Sequence, residues 1–251
     1  MSGLQPYDAL LIVGAALWGG AAGLLVPRAA HRFSVAPGEP WASRCPEGHP
    51  IGGRAGGWIG PARCAACGGR AYGPGTLLVS LATAVACGAL AAATGTRPEL
   101  AVWLVLAPLG VLLAVVDLRV QRLPDVLTLS LAGAAPVLLA GAAAMPEDAG
   151  DWPGALYGSL ALGAAYFVLF LVNPDGMGFG DVKLALGLGA VLGWYGWGTV
   201  LLGTFAGFLF GGLYGMGLVL ARRAGRRTSI PFGPFLIAGA FTGLLIGAYA
   251  A

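Results

Sequence analysis

The chain has 251 residues, 57% of them hydrophobic and 10% charged, with a formal net charge of +3 and a mean hydropathy of +0.80. Soluble domains carry about 25% charged residues, so a soluble globular enzyme is excluded. The 44 glycines show no three-residue period and stand inside Leu/Val/Ala runs, which excludes collagen and argues against disorder. The basic residues are thirteen arginines and one lysine, and their number implies no nucleic-acid partner.

Apolar runs of about 20 residues mark membrane spans. They fall near 9–26, 76–94, 99–116, 126–145, 153–172, 182–197, 199–220 and 230–250, which predicts an all-α, polytopic bundle of about eight transmembrane helices in the lipid bilayer. The first run lacks a basic leading region and a clear cleavage site, so residues 1–27 read as a retained first span. Residues 28–75 form the only long polar excursion, rich in Gly, Pro and Arg, and a unit of this size usually needs a metal or disulfide to fold. Residues 76–251 then form a seven-span membrane domain. Leu184 to Leu220 runs 37 residues without a charge. One helix of that length would measure about 55 Å against a hydrocarbon core of about 30 Å, so the run is broken at Tyr195-Gly196-Trp197-Gly198, where interfacial aromatics and glycines suit a turn.

Orientation follows from the basic residues, which are retained on the cytoplasmic side. The loops after spans one, three, five and seven hold Arg28, Arg32, Arg44, Arg54, Arg63, Arg70, Arg119, Arg122, Lys183, Arg222, Arg223, Arg226 and Arg227. The opposite side holds Arg97 and the acidic tip Glu147, Asp148 and Asp151. Both termini are therefore expected outside, with the 28–75 and 222–229 loops in the cytoplasm.

Ionisable groups at the ends of spans are costly in lipid and point to function. Asp117 ends the third span and Asp125 starts the fourth, while Gly176-Met-Gly178-Phe-Gly180-Asp181-Val-Lys183 delivers Asp181 to the start of the sixth. Two carboxylates at one depth do not both ionise easily, so one keeps a proton and the other serves as base, the logic of an aspartyl-protease dyad. Glycines at 176, 178 and 180 would let an extended peptide approach Asp181. The plain alternative makes Asp125 an N-cap of the fourth span, with Asp117 and Asp181 interfacial charges paired to Arg119, Arg122 or Lys183. For Asp125 the cap is the better reading.

The segments Asp117-Leu-Arg-Val-Gln-Arg-Leu-Pro-Asp125, Gly178-Phe-Gly-Asp181-Val-Lys183 and Ile230-Pro-Phe-Gly-Pro-Phe-Leu236 occur in this order at the ends of spans, behind a cysteine-bearing loop. Together they resemble the type IV prepilin peptidases, membrane aspartyl proteases with a Gly-x-Gly-Asp motif, over most of the chain from Leu10 onward. The resemblance implies that Asp117 and Asp181 are the catalytic pair, that Asp125 is the accessory acid of the first motif, and that Gly178 and Gly180 shape the second, with Lys183 closing it. It implies as substrates prepilins or pseudopilins, cut at the cytoplasmic face of the inner membrane between a short basic leader and a hydrophobic helix. Many members of that family also N-methylate the new N-terminus with S-adenosylmethionine.

Cys87 lies within the second span and reads as a small packing residue. Cys64-Ala-Ala-Cys67, followed by Gly68-Gly69, has the spacing of a zinc knuckle in a compartment that disfavours disulfides. The family resemblance would supply a second Cys-x-x-Cys upstream, where this chain has Cys45-Pro-Glu-Gly-His49. His49, one residue beyond the expected place, completes a Cys3His structural zinc set of Cys45, His49, Cys64 and Cys67. The alternatives are a degenerate site without metal or a lone solvated His49. His31 has no partner visible in sequence and reads as interfacial. Tyr72-Gly-Pro74-Gly-Thr76 lacks the glutamate that the family carries after the cysteines, which leaves methyl transfer on the resemblance alone.

Arg222–Arg227 reads as a topology signal, with binding of substrate or anionic lipid as the alternative, and the two prolines and glycine of 230–235 read as a broken or re-entrant span entrance. Gly203, Gly207, Gly211, Gly212 and Gly215 would let helices cross closely. The competing function is an ion- or proton-coupled transporter using Asp117 and Asp181. Its midplane charges and inverted repeats do not match carboxylates at span ends. A catalytically silent scaffold with a zinc loop is the third reading.

Overall fold

The computed structural model describes residues 6–174, 176–221 and 230–251. Its long helices are α1 (Pro6–Phe33), α2 (Thr76–Thr94), α3 (Glu99–Val120), α4 (Asp125–Ala143), α5 (Trp152–Val172), α6 (Phe179–Gly193), α7 (Trp197–Leu220) and α8 (Gly233–Ala250). All but α6 are long and apolar enough to cross a membrane. Large apolar side chains such as Leu77, Leu160, Phe205 and Val172 point outward from them, as a lipid-facing surface requires. The chain is thus a multi-pass membrane protein with a helix at each of the eight expected places, of which seven rather than eight have spanning length among the described residues. The chain divides into two compact units, residues 1–96 with 103–120, and residues 97–102 with 121–251.

In the first unit α1 packs along α2. The contact is close because Gly19 and Gly23 face Ser80, Thr83 and Cys87: a Cβ on Gly23 would lie 2.7 Å from the Ser80 Cα, and one on Gly19 2.8 Å from the Cys87 Sγ. Cys87 is fully buried there, the packing role expected of it. Trp18 Nε1 donates to the Leu104 carbonyl at 2.9 Å. The expected end of the first span at residue 26 is overrun, and α1 continues through Pro27 to Phe33. Proline removes a backbone donor and breaks the local ladder. Beside it the polar loop pairs with the helix backbone: Gly60 N donates to the Leu25 carbonyl and Arg28 N to the Gly60 carbonyl.

The second unit is built around α6, which packs against α4, α5, α7 and α8. Its fifteen residues rise about 22 Å at about 1.5 Å each, and from Leu188 to Gly193 every residue is buried. Gly189 and Gly193 meet the backbone of Gly158 and Gly154 on α5, and Gly187 meets Leu131 on α4. A Cβ at these places would fall on a neighbour, so the stripe allows a helix to be surrounded on all sides. The charge-free run breaks where expected: α6 ends at Gly193, Gly196 takes a left-handed φ of 94°, and α7 begins at Trp197. The sixth span lies three residues earlier than expected because the helix starts at Phe179, directly behind Gly178. Between α7 and α8, Gly203 and Gly207 meet Gly239 closely, whereas Gly212 faces open space. The entrance to α8 is non-helical at Ile230 and Pro231, and the helix begins at Gly233. The arginines of 222–227 lie outside the described residues.

Candidate functional site

The polar loop after α1 brings four metal-ligating side chains together. Cys64 ends strand β1 (Arg63–Cys64), which pairs antiparallel with β2 (Arg70–Ala71) across a 3-10 turn over Ala65–Cys67. Gly68 and Gly69 close the turn at φ 67° and 81°, a region disfavoured for residues with a Cβ. Upstream, Cys45 N donates to the His49 carbonyl and Gly48 N to the Cys45 carbonyl, with Gly48 at φ 85°. This second turn is one residue longer than a Cys-x-x-Cys turn. His49 Nδ1 lies 3.2 Å from Cys67 Sγ and 3.7 Å from Cys45 Sγ, and the two sulfurs lie 3.9 Å apart. One donor atom each from Cys45, His49, Cys64 and Cys67 falls within 4.8 Å of all the others, so the four could hold a metal ion.

Electrostatics suits a cation there. Burial pushes the thiols up, yet for Cys45 hydrogen bonds from His49 and the Glu47 backbone outweigh it and bring the value down to about 7. Cys67, with burial and hydrogen bonds to Cys64 and Cys45 all acting against its thiolate, is pushed up to about 12. The C-terminal extension of α1 holds the loop. Arg28 Nη1 donates to the Gly52 carbonyl, Arg32 Nη1 to that of Gly56 at 2.8 Å, and the Arg32 guanidinium lies 4.1 Å from the Trp58 ring. His31 is not merely interfacial: its Nε2 is 3.2 Å from the Arg44 carbonyl and its ring meets Tyr72 edge-on at 4.7 Å. Its partners lie 13 and 41 positions away in sequence, beyond any local pattern.

The second cluster lies in the second unit, at the start of α6. Gly178 is the N-cap, and the Asp181 carboxylate reaches back to accept its N–H at 3.1 Å. Asp181 is 7% exposed. The segment Leu123-Pro124-Asp125 lies against this turn: a Cβ on Gly180 would approach the Leu123 Cβ to 2.9 Å. Gly180 therefore admits the first motif close beside the second, while Gly178 has ordinary extended backbone. Lys183 Nζ donates to Asp125 Oδ1 at 2.7 Å and sits 4.9 Å from the Phe179 ring. The expected cap by Asp125 does not form. Pro124 occupies the N-cap, its carbonyl accepting from Leu127 N and Thr128 N, and the carboxylate turns to Lys183. Proline fixes the entry φ without needing a side-chain cap, which leaves the acid available for a partner 58 positions away.

Asp117 belongs to the first unit, one turn before the end of α3. It is 5% exposed, beside fully buried Val116 and Leu113.

A third polar cluster went unread in the sequence. Glu99, fully buried at the start of α3, accepts a hydrogen bond from Tyr195 Oη at 3.1 Å and pairs with Arg97 Nε at 3.8 Å. Arg97 also donates to the Ala248 carbonyl at the end of α8. A glutamate immediately behind an arginine and a proline at a span entrance was the available signal, but it reads equally as a solvated helix start.

The sequence profile of the type IV leader peptidase family matches residues 104–216, which include Asp117, Asp125 and the Gly178–Lys183 segment. A prepilin leader peptidase/N-methyltransferase of Aeromonas salmonicida is 36% identical over 175 residues, covering 68% of this chain and 56% of that protein. One of Pseudomonas aeruginosa is 35% identical over 189 residues, covering 74% and 62%. The leader peptidase HopD of Salmonella typhimurium is 33% identical over 144 residues, which cover 55% of this chain and 88% of HopD. The chain thus spans a little over half the length of the first of these relatives. No solved structure matches significantly. The transporter reading is not favoured by these relatives. With HopD matched over most of its length, and the family profile spanning both aspartate motifs, the chain belongs to the type IV leader peptidase family.

Proposed function

We propose that this protein is a membrane aspartyl endopeptidase that removes the short basic leader of type IV prepilins or pseudopilins, with Asp117 and Asp181 as its dyad. The observation that carries the reading is that both carboxylates are buried at helix ends inside the region matched by the family profile. In an aspartyl dyad one carboxyl keeps its proton beside the charge of the other. The ionised partner takes a proton from the attacking water, and the protonated one donates to the peptide carbonyl oxygen. The Gly178 N–H fixes the Asp181 carboxylate, and Lys183 holds Asp125, the accessory acid, at the edge of the same turn.

The membrane is the inner membrane, with the active face cytoplasmic and both termini outside, the orientation that places thirteen of the fourteen basic residues inside. This requires the short α6 to carry the chain across. The metal is a structural zinc. Tetrahedral bonds of about 2.3 Å to sulfur and 2.0 Å to nitrogen give ligand separations of about 3.5–3.8 Å, close to those among Cys45, His49 and Cys67. It would tie the two turns of the loop together and supply no step of the cleavage.

The Aeromonas and Pseudomonas relatives are named N-methyltransferases as well as leader peptidases, and we infer for this chain the matching second activity, methylation of the new N-terminus with S-adenosylmethionine. The Tyr72–Thr76 stretch after the cysteines lacks the glutamate that the family resemblance would place there, and no residue is assigned to the cofactor. The test is mass spectrometry of a prepilin-like substrate coexpressed with the wild type, with Asp181→Asn or with no enzyme. Loss of the leader mass with the wild type alone is the expected result, and an added methyl mass would report the second activity. No cleavage of any such substrate would overturn the peptidase reading.

A further inference from the structure

Tyr166 lies in the last third of α5, 1% exposed, its ring stacked on Phe208 of α7 at 5.8 Å and 25°. Its hydroxyl is buried and has no hydrogen-bond partner among the described residues. An orphaned hydroxyl in an apolar interior costs free energy that phenylalanine would avoid. The ring alone does not account for it.

Around it the alternatives are few. Tyr166 lines a small internal cavity with Leu188, Ala185 and Thr204. Thr204 is the one other polar side chain in that lining, and its hydroxyl already donates to the Val200 carbonyl at 2.7 Å. Gly163 of α5 packs on Leu186 of α6, and Gly158 on Gly189 and Gly193, so the two helices run antiparallel and Tyr166, nearly one turn beyond Gly163, stands level with the first turns of α6, which carry Asp181 and Ala185. A phenol in an apolar site beside a carboxylate is a donor suited to its ionised form.

We propose that Tyr166 is a positioning residue for Asp181: when that carboxylate is ionised, the Tyr166 hydroxyl donates to it and fixes its orientation for proton transfer. The phenol keeps its proton throughout, and no bond forms or breaks at Tyr166. This inference rests on the reading of Asp181 as a member of the dyad.

The experiment uses the purified full chain in detergent with a prepilin-like substrate, comparing wild type, Tyr166→Phe, Tyr166→Leu and Asp181→Asn for kcat, KM and thermal stability. Removing the hydroxyl alone is expected to leave stability equal to or above wild type. It should lower kcat by about 10- to 100-fold, with KM changed by less than about twofold. A structural role moves stability and activity together, so the opposite signs identify positioning. Tyr166→Phe that cleaves at the wild-type rate, or loses activity only in step with stability, overturns the inference while Asp181→Asn remains inactive. Tyr166→Leu inactive beside a fully active Tyr166→Phe also overturns it, assigning the role to the ring. Wild type that cleaves no substrate, or Asp181→Asn that cleaves like wild type, removes the dyad reading and this inference with it.

Discussion

Replacing Glu99 with Gln removes the fully buried charge of its pair with Arg97 and little else. The Gln carbonyl can still accept the Tyr195 hydroxyl, so the change isolates the attraction between Glu99 and Arg97, whose charged atoms are 3.8 Å apart. At an effective dielectric of about 20 that attraction is about 4 kcal/mol. Breaking one side of a buried pair typically costs about 3–5 kcal/mol, because the remaining charge is left uncompensated. The Arg97 side chain is 20% exposed, so the lower end of that range applies. For a chain of this size each kcal/mol shifts Tm by about 2–4 °C, which puts the loss near 10 °C. The assay is thermal unfolding in detergent followed by tryptophan fluorescence, with Glu99→Gln, Arg97→Met and the double variant forming a cycle. The double variant is expected to recover most of the loss, since neither charge is then stranded. A shift of less than about 2 °C for Glu99→Gln, or a double variant as unstable as the sum of the singles, would refute the reasoning.

Asp117→Asn and Asp181→Asn are each expected to abolish leader cleavage while membrane expression stays at wild-type level. Retained cleavage in either variant, read by mass spectrometry, would remove that residue from the dyad. The purified protein should carry about one zinc per chain by elemental analysis. Cys64→Ser should lose that metal and unfold at lower temperature while lowering kcat far less than the aspartate variants do. Gly180→Ala should push Leu123 away from α6, an overpacking cost of about 1–3 kcal/mol; a thermal stability equal to wild type would show that the close approach of the two motifs is not needed.

Much of this architecture was legible along the chain because a membrane span is a local property. Length and hydropathy mark each helix wherever it packs, and the break at Gly196 followed from the length of one uncharged run against the bilayer. The aspartate motifs and the Cys64–Cys67 turn were equally plain, since their chemistry depends on residue type and short spacing. His49 as the candidate fourth ligand was a reading of one misplaced residue, and it stands directly behind the left-handed Gly48 with its donor atom among those of the three cysteines.

The partners of those residues were not written locally. That Asp125 turns to Lys183 instead of capping its helix depends on Gly180 letting Leu123 approach, a contact between segments more than fifty positions apart. Where α1 runs past Pro27, its backbone at Leu25 and Arg28 pairs with Gly60, more than thirty positions away. Glu99 was unreadable as a buried charge because its Tyr195 partner lies 96 positions away. Sequence by itself determined which segments enter the bilayer and which carboxylates and thiols are available, because solvation acts on each segment alone. Tertiary structure decided which of those groups meet, because the desolvation cost of a buried charge is offset only by a partner that packing brings to it.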